Sequence, residues 1–165
     1  MTVLEEIQQA IKTENIVDAM RAASRSTLRE SGNRIFDEGL DSTGNKIGEY
    51  STKPIYISKK DSPRNAGEDK GKSLFFPGGY KQFKGAIGRG EKVNLKLFGR
   101  LQTDYVTSQE TTTGTTITYS LKDPDNVAKK DYAEDHFKTK IWDLTKTEEK
   151  NLEKRFYFEL RKRIS

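Results

Sequence analysis

The sequence holds no cysteine and a single histidine in 165 residues. Without thiols there is no disulfide, no thiolate nucleophile and no Cys-ligated zinc or iron-sulfur centre. One imidazole excludes any site built on two histidines of one chain. Core-forming residues are scarce as well. Leu, Ile, Val and Phe fill 35 of 165 positions while 33% of residues are charged, close to the composition at which a charged chain stops folding alone. That thinness implies compact segments joined by long stretches that solvent or a partner must order. No apolar run approaches the ~18 residues of a membrane span, and Glu5 and Glu6 stand where a signal peptide carries its basic start. The expectation is a soluble protein made in the cytoplasm, with no membrane partner.

What is present is charge. Lys+Arg 30 against Asp+Glu 25 leaves a surplus of +5, compatible with nucleic acid or an acidic protein surface as partner. Thr2 and Glu5 have capping-box spacing before a short helix over residues 3–12. Over residues 14–38 small or apolar positions recur at three- and four-residue steps, predicting a long helix with a narrow buried face that stops at Gly39. Residues 52–91 hold three of the four prolines and seven of the thirteen glycines, which predicts a long loop or arm, too long for a compact domain unless a partner orders it. Alternation over residues 101–109 and 115–121, around a Thr-rich turn at 110–114, predicts a β-hairpin. Asp123 and Pro124 suit a cap and first helical position for a helix ending near Phe137. Thr145 and Glu148 repeat the capping box for a last helix with an apolar stripe at Leu152, Phe156, Leu160 and Ile164. Together these give an α+β domain spanning residues 1–165, its long N-terminal and C-terminal helices packed on a small antiparallel sheet that includes the hairpin.

Candidate chemistry is sparse, and no catalytic residue, metal ligand or cofactor site is assigned. His136 follows Glu134 and Asp135, but those neighbours point to other sides of a helix and no serine or second imidazole is tied to it by motif. It reads as a structural or interface residue. Gly85, Gly88 and Gly90 lack the ending of a phosphate-binding loop. The stretch 80–100 is richer: six bases, among them Lys84, Arg89 and Arg100, against one acid, interleaved with Tyr80, Phe83 and Phe98. Bases with rings suit a platform for single-stranded nucleic acid, a subunit contact anchored by aromatics, or a solvated basic loop whose rings tuck back onto their own domain. The subunit contact is favoured because no nucleic-acid-binding fold surrounds the stretch.

Several short elements, in order, resemble the tail-completion and head-to-tail joining proteins of tailed bacteriophages, the virion morphogenesis group. They are the turn containing Asp41, Gly44 and Tyr50-Ser51; Gly78-Gly79-Tyr80-Lys81; the apolar element Leu95 to Gly99-Arg100-Leu101; and Tyr132-Ala133 with His136-Phe137. Phe98 stands where that family has threonine, Lys138 where glycine often follows the aromatic, and Lys140-Ile141-Trp142 replaces an Arg-Pro-Phe. The resemblance implies a non-enzymatic virion protein, made in the host cytoplasm, that forms a neck ring of six subunits. Its partners would be further copies, other neck and tail proteins and, non-specifically, passing double-stranded DNA. A ring needs a heterologous interface that closes, and residues 52–91 are the natural arm. On this reading Phe75, Phe76, Tyr80 and Phe83 anchor neighbouring subunits. Lys84, Arg89 and Arg100 pair with acidic partner surfaces or face DNA. Deleting residues 71–90 would leave a folded monomer unable to assemble. The rival reading is a basic nucleic-acid-binding module.

Overall fold

A computed structural model describes residues 2–10, 12–60, 62, 67–90, 92–96 and 99–164, with the backbone alone at 6, 7, 9 and 10. Glu91, the one acid of the basic stretch, and Leu97 and Phe98 of the apolar element lie outside the described residues. The chain is α+β, with small antiparallel sheets.

Helix α1 (Val3–Ala10) opens on its capping box, Glu5 N donating to Thr2 Oγ1 at 3.3 Å and Thr2 N to Glu5 Oε2 at 2.7 Å. Helix α2 (Thr13–Asn33) follows, and a π-helical turn over Arg34–Glu38 ends at Gly39. Gly39 takes φ +72, and a Cβ there would stand 2.3 Å from the Val93 carbonyl oxygen. Only glycine lets the helix end against that strand of chain. The narrow face of α2 is small side chains, Ala19, Ala23, Thr27 and Ser31, all buried, and it receives helix α6 (Lys146–Ile164). Arg34 bonds Glu148, Glu30 bonds Asn151 and Arg155, and Thr27 bonds Arg155. The descending numbers on α2 against ascending ones on α6 make the pair antiparallel. The Thr145–Glu148 capping box forms as expected, with bonds of 2.7 and 3.1 Å.

Between these helices, α4 (Arg100–Val106) leads into the hairpin β4 (Gln109–Thr113) and β5 (Thr116–Ser120), then α5 (Pro124–Phe137). The hairpin is where its sequence placed it, turned by Gly114 at φ +59. Its first strand, however, starts late. Leu101, Asp104 and Tyr105 are the buried positions of that segment, a helical spacing that the Thr103, Tyr105, Thr107 alternation disguised. The hairpin also stands apart from the other sheet and leans on α2, with Glu110 bonding Arg21 and Arg25. The long helices therefore pack on each other rather than on one sheet. Helix α5 starts at its Asp123 cap, which accepts from Asp125 N at 2.9 Å. It ends at Lys138 with φ +54, the conformation glycine would adopt at no cost.

Residues 52–91 are not one long arm. They contain β1 (Ile55–Ser58), β2 (Glu68–Lys70), β3 (Ser73–Phe76) and α3 (Gly79–Ala86), with β3 central in a sheet of order β1-β3-β2. The register pairs Ile55 with Phe76 and Ile57 with Leu74 on one face, and Tyr56 with Phe75 on the other. The first face meets α3 and forms a second core of Leu74, Phe76, Phe83 and Ile87. The first core gathers Ile35, Phe36, Ile47, Val93, Leu101, Tyr105, Ala133 and Ile141. Phe76 and Phe83, expected to anchor neighbours, are 0% and 1% exposed and fill their own chain's interior. Hydrophobic burial within the chain claims them first.

Candidate binding cleft

Tyr50 and Tyr80 meet edge to face at 5.2 Å, joining the first core to the second. Beside this contact opens a cleft of about 640 Å³, within the range of small-ligand and side-chain pockets. Helix α5 supplies Asn126, Lys129, Tyr132, Ala133, His136 and Phe137 at three- and four-residue steps, which is one helix face. Helix α3 supplies Tyr80 and Lys84 one turn apart, the chain between the cores adds Glu49, Tyr50, Ser51, Leu95, Lys96 and Gly99, and α4 adds Arg100 and Leu101 from its first turn. Leu95 sits at φ +52, a conformation a leucine rarely holds and one that clusters at functional walls. Gly79 is what lets α3 start here. It takes φ +71, and a Cβ would lie 2.5 Å from the Lys53 carbonyl oxygen and 2.6 Å from that of Ser51.

Four bases and one acid line the cleft. Lys84 is 1% exposed. Its ammonium donates to the Lys96 carbonyl and to Asn94 Oδ1 at 3.3 Å, and lies 5.2 Å from the Tyr50 ring centre. No carboxylate among the described residues pairs with it. Those acceptors favour its charge, yet burial, with the Arg89 and Lys96 charges, pulls its pKa down to about 8. Lys96 reaches Asp37 at 2.6 Å and Lys129 reaches Asn126 Oδ1 at 3.4 Å. Arg100 and Lys129 are exposed at the rim. His136 lies on Tyr132, rings 20° from parallel at 5.3 Å, its Nδ1 3.3 Å from the Tyr132 hydroxyl. This arrangement offers stacking and positive charge, and the hydrogen-bond partner on the imidazole is the Tyr132 phenol rather than a carboxylate. The described residues include no group of three His, Cys, Asp or Glu suited to a metal ion.

Comparison of the chain with protein-family models, with curated proteins and with solved structures finds no match.

Of the residues picked from sequence, Tyr80, Lys84 and Arg100 come together in the cleft. Phe83 stands behind Tyr80, its ring 5.6 Å away. Phe75 is elsewhere, half-buried on the outer sheet face against Tyr56 at 4.8 Å, with Tyr56 66% exposed. Arg89 is exposed past the end of α3 and outside the cleft lining. Lys129 and Asn126 were missed, although the Asn126, Lys129, Tyr132, His136 spacing was there to find them. No helix among the described residues is long and apolar enough to cross a membrane.

The Lys84 environment carries a pH signature. Below about pH 8 the group is charged in both folded and unfolded chains. From there to its ordinary 10.5 the folded chain releases the proton first, so the unfolded chain holds more protons and stability rises with pH. Urea unfolding is expected to show about 2 kcal/mol more stability from this group at pH 10 than at pH 7, a gain absent from Lys84→Met. Tyr50 opposes this only higher up. Burial pushes its hydroxyl to about 12, so its contribution is present below pH 10 and lost as pH rises through 12. Identical pH profiles for wild type and Lys84→Met would show the ammonium to be solvated.

Proposed function

We propose that this chain is a structural subunit of a tailed-bacteriophage neck, a tail-completion or head-to-tail joining protein that assembles into a ring of the virion. The observation that supports this most is convergence. Of the residues that carry the resemblance, Tyr50-Ser51, Tyr80, Leu95, Gly99-Arg100-Leu101, Tyr132-Ala133 and His136-Phe137 come from points more than 80 positions apart and line the same cleft, whereas Asp41, Gly44 and Gly78-Gly79 lie outside its lining. Weak motifs scattered by chance have no reason to meet in space. Lys138 adds to this, since its left-handed backbone is the one the family's usual glycine would occupy. Exposed Val3, Leu4, Tyr56, Tyr157 and Phe158 leave apolar surface for neighbours on several sides.

The bases and tyrosines of the cleft favour one second reading, a nucleic-acid-binding module. Native mass spectrometry and sedimentation at chain concentrations up to about 1 mM, where contacts of only about 4 kcal/mol are half populated, separate the two. The neck reading expects a closed ring of six without nucleic acid. A chain that stays monomeric, yet binds oligonucleotide with an affinity falling steeply with salt, overturns it in favour of the second.

A further inference from the structure

We propose that the cleft is the receiving half of a head-to-tail contact between copies of this chain, and that its occupant is the acidic, apolar-tipped helix α1 of the next copy. This rests on the assembly reading above and names the surfaces that would make it.

Charge and exposure select α1. Among the exposed large apolar residues, Tyr56, Tyr157 and Phe158 sit in segments rich in lysine or arginine, which the bases of the cleft repel; Val127 lies between matched acids and bases on the same helix that lines the cleft, and Val106 is the least exposed of the set at 36%. Val3 and Leu4 are the contrary case. They are 73% and 65% exposed, next to Glu5 and Glu6, in a stretch with no base before Lys12. The capping box fixes the Glu5 carboxylate beside them, so an apolar tip and negative charge are presented together at little ordering cost. The cleft offers the complement, tyrosine walls with Arg100 and Lys129 exposed at the mouth. Size agrees as well. A helix about 10 Å across and about 12 Å long does not enter about 640 Å³ whole, but the side chains of its tip do.

Geometry decides that the contact joins two copies. Because α6 runs antiparallel to α2, its C-terminal end lies by Thr13, where α1 packs on it. The cleft shares Leu101 and Ala133 with the core around Ile35 and Phe36, at the opposite end of α2. The 21 residues of α2 separate the two by about 30 Å. Complementary patches at opposite ends of one molecule make a heterologous contact, which generates rings or filaments.

Two variants on exposed side chains test this, Leu4→Lys for the tip and Arg100→Glu for the cleft, with circular dichroism confirming that each folds. Sedimentation is expected to show self-association weakened by about 100-fold in each alone. Mixed together they are expected to associate again, because the intact tip of one enters the intact cleft of the other and the new lysine faces the new glutamate. A wild-type ring that both variants still form overturns the inference and leaves the neck reading standing. A wild-type chain monomeric at about 1 mM overturns both. Oligonucleotide binding that Arg100→Glu abolishes, with assembly unchanged, reassigns the cleft to nucleic acid.

Discussion

Replacing Arg34 by alanine is expected to lower stability by about 3–5 kcal/mol, read as a fall in the urea midpoint at constant slope. Arg34 and Glu148 are 7% and 3% exposed. The guanidinium donates from Nε to Glu148 Oε1 at 3.0 Å, from Nη1 to the carbonyls of Leu40 and Ile141, and from Nη2 to that of Asp143. Alanine would strand three carbonyls and a buried carboxylate at once. That asymmetry makes the loss large whatever the net contribution of the intact pair. Glu148 also accepts from Thr145 N, so its displacement frays the start of α6. Glu148→Gln keeps a single acceptor oxygen, which can serve Arg34 Nε or Thr145 N but not both, and is expected to cost less than Arg34→Ala because no charge is left buried and unpaired on residue 148. Lysine at 34 does not rescue, since one ammonium cannot reach four acceptors in a fixed plane. A loss below about 1 kcal/mol for Arg34→Ala would place the pair with ordinary surface salt bridges.

Arg34 also marks what a sequence can reveal. Local signals read well because their physics is local. Both capping boxes and the Asp123-Pro124 start of α5 are fixed by side chains within a few residues of the backbone they serve, and Gly39 announces its stop through its own left-handed backbone. The partner of Arg34 lies 114 positions away and no spacing announces it. The helix α4 was hidden by a coincidence of period. Leu101 and Tyr105 are one turn apart, but Thr103 and Thr107 between and beyond them imitate a strand. Residues 52–91 misled by composition, since glycine and proline there serve tight turns such as Gly78-Gly79 around a small sheet whose strands are three or four residues long. The cleft was half legible. Tyr80, Lys84 and Arg100 drew attention through local charge and aromaticity, whereas the α5 face shows its role only once the first core packs Ala133 and Phe137 inward.

The second core predicts opposite outcomes for two neighbouring phenylalanines that share one role in the sequence. Phe83→Ala is expected to cost about 3–5 kcal/mol, because the ring is 1% exposed and touches Phe76 edge to face at 5.3 Å and Tyr80 at 5.6 Å. The cavity would open between β3 and α3, where the sheet closes its core. Phe75→Ala, on the outer face against Tyr56, is expected to cost about 1 kcal/mol and to act on assembly instead. Differential scanning calorimetry of both variants beside sedimentation separates stability from association. The same packing reverses the outcome for a deletion of residues 71–90. That cut removes β3, through which β1 and β2 are joined, and α3 with Tyr80 and Lys84, so the second core unfolds rather than leaving an intact body. A Phe83→Ala chain as stable as the wild type, or a deletion variant that melts at the wild-type temperature, would mean that this segment adds no core and behaves as the free arm its composition suggests.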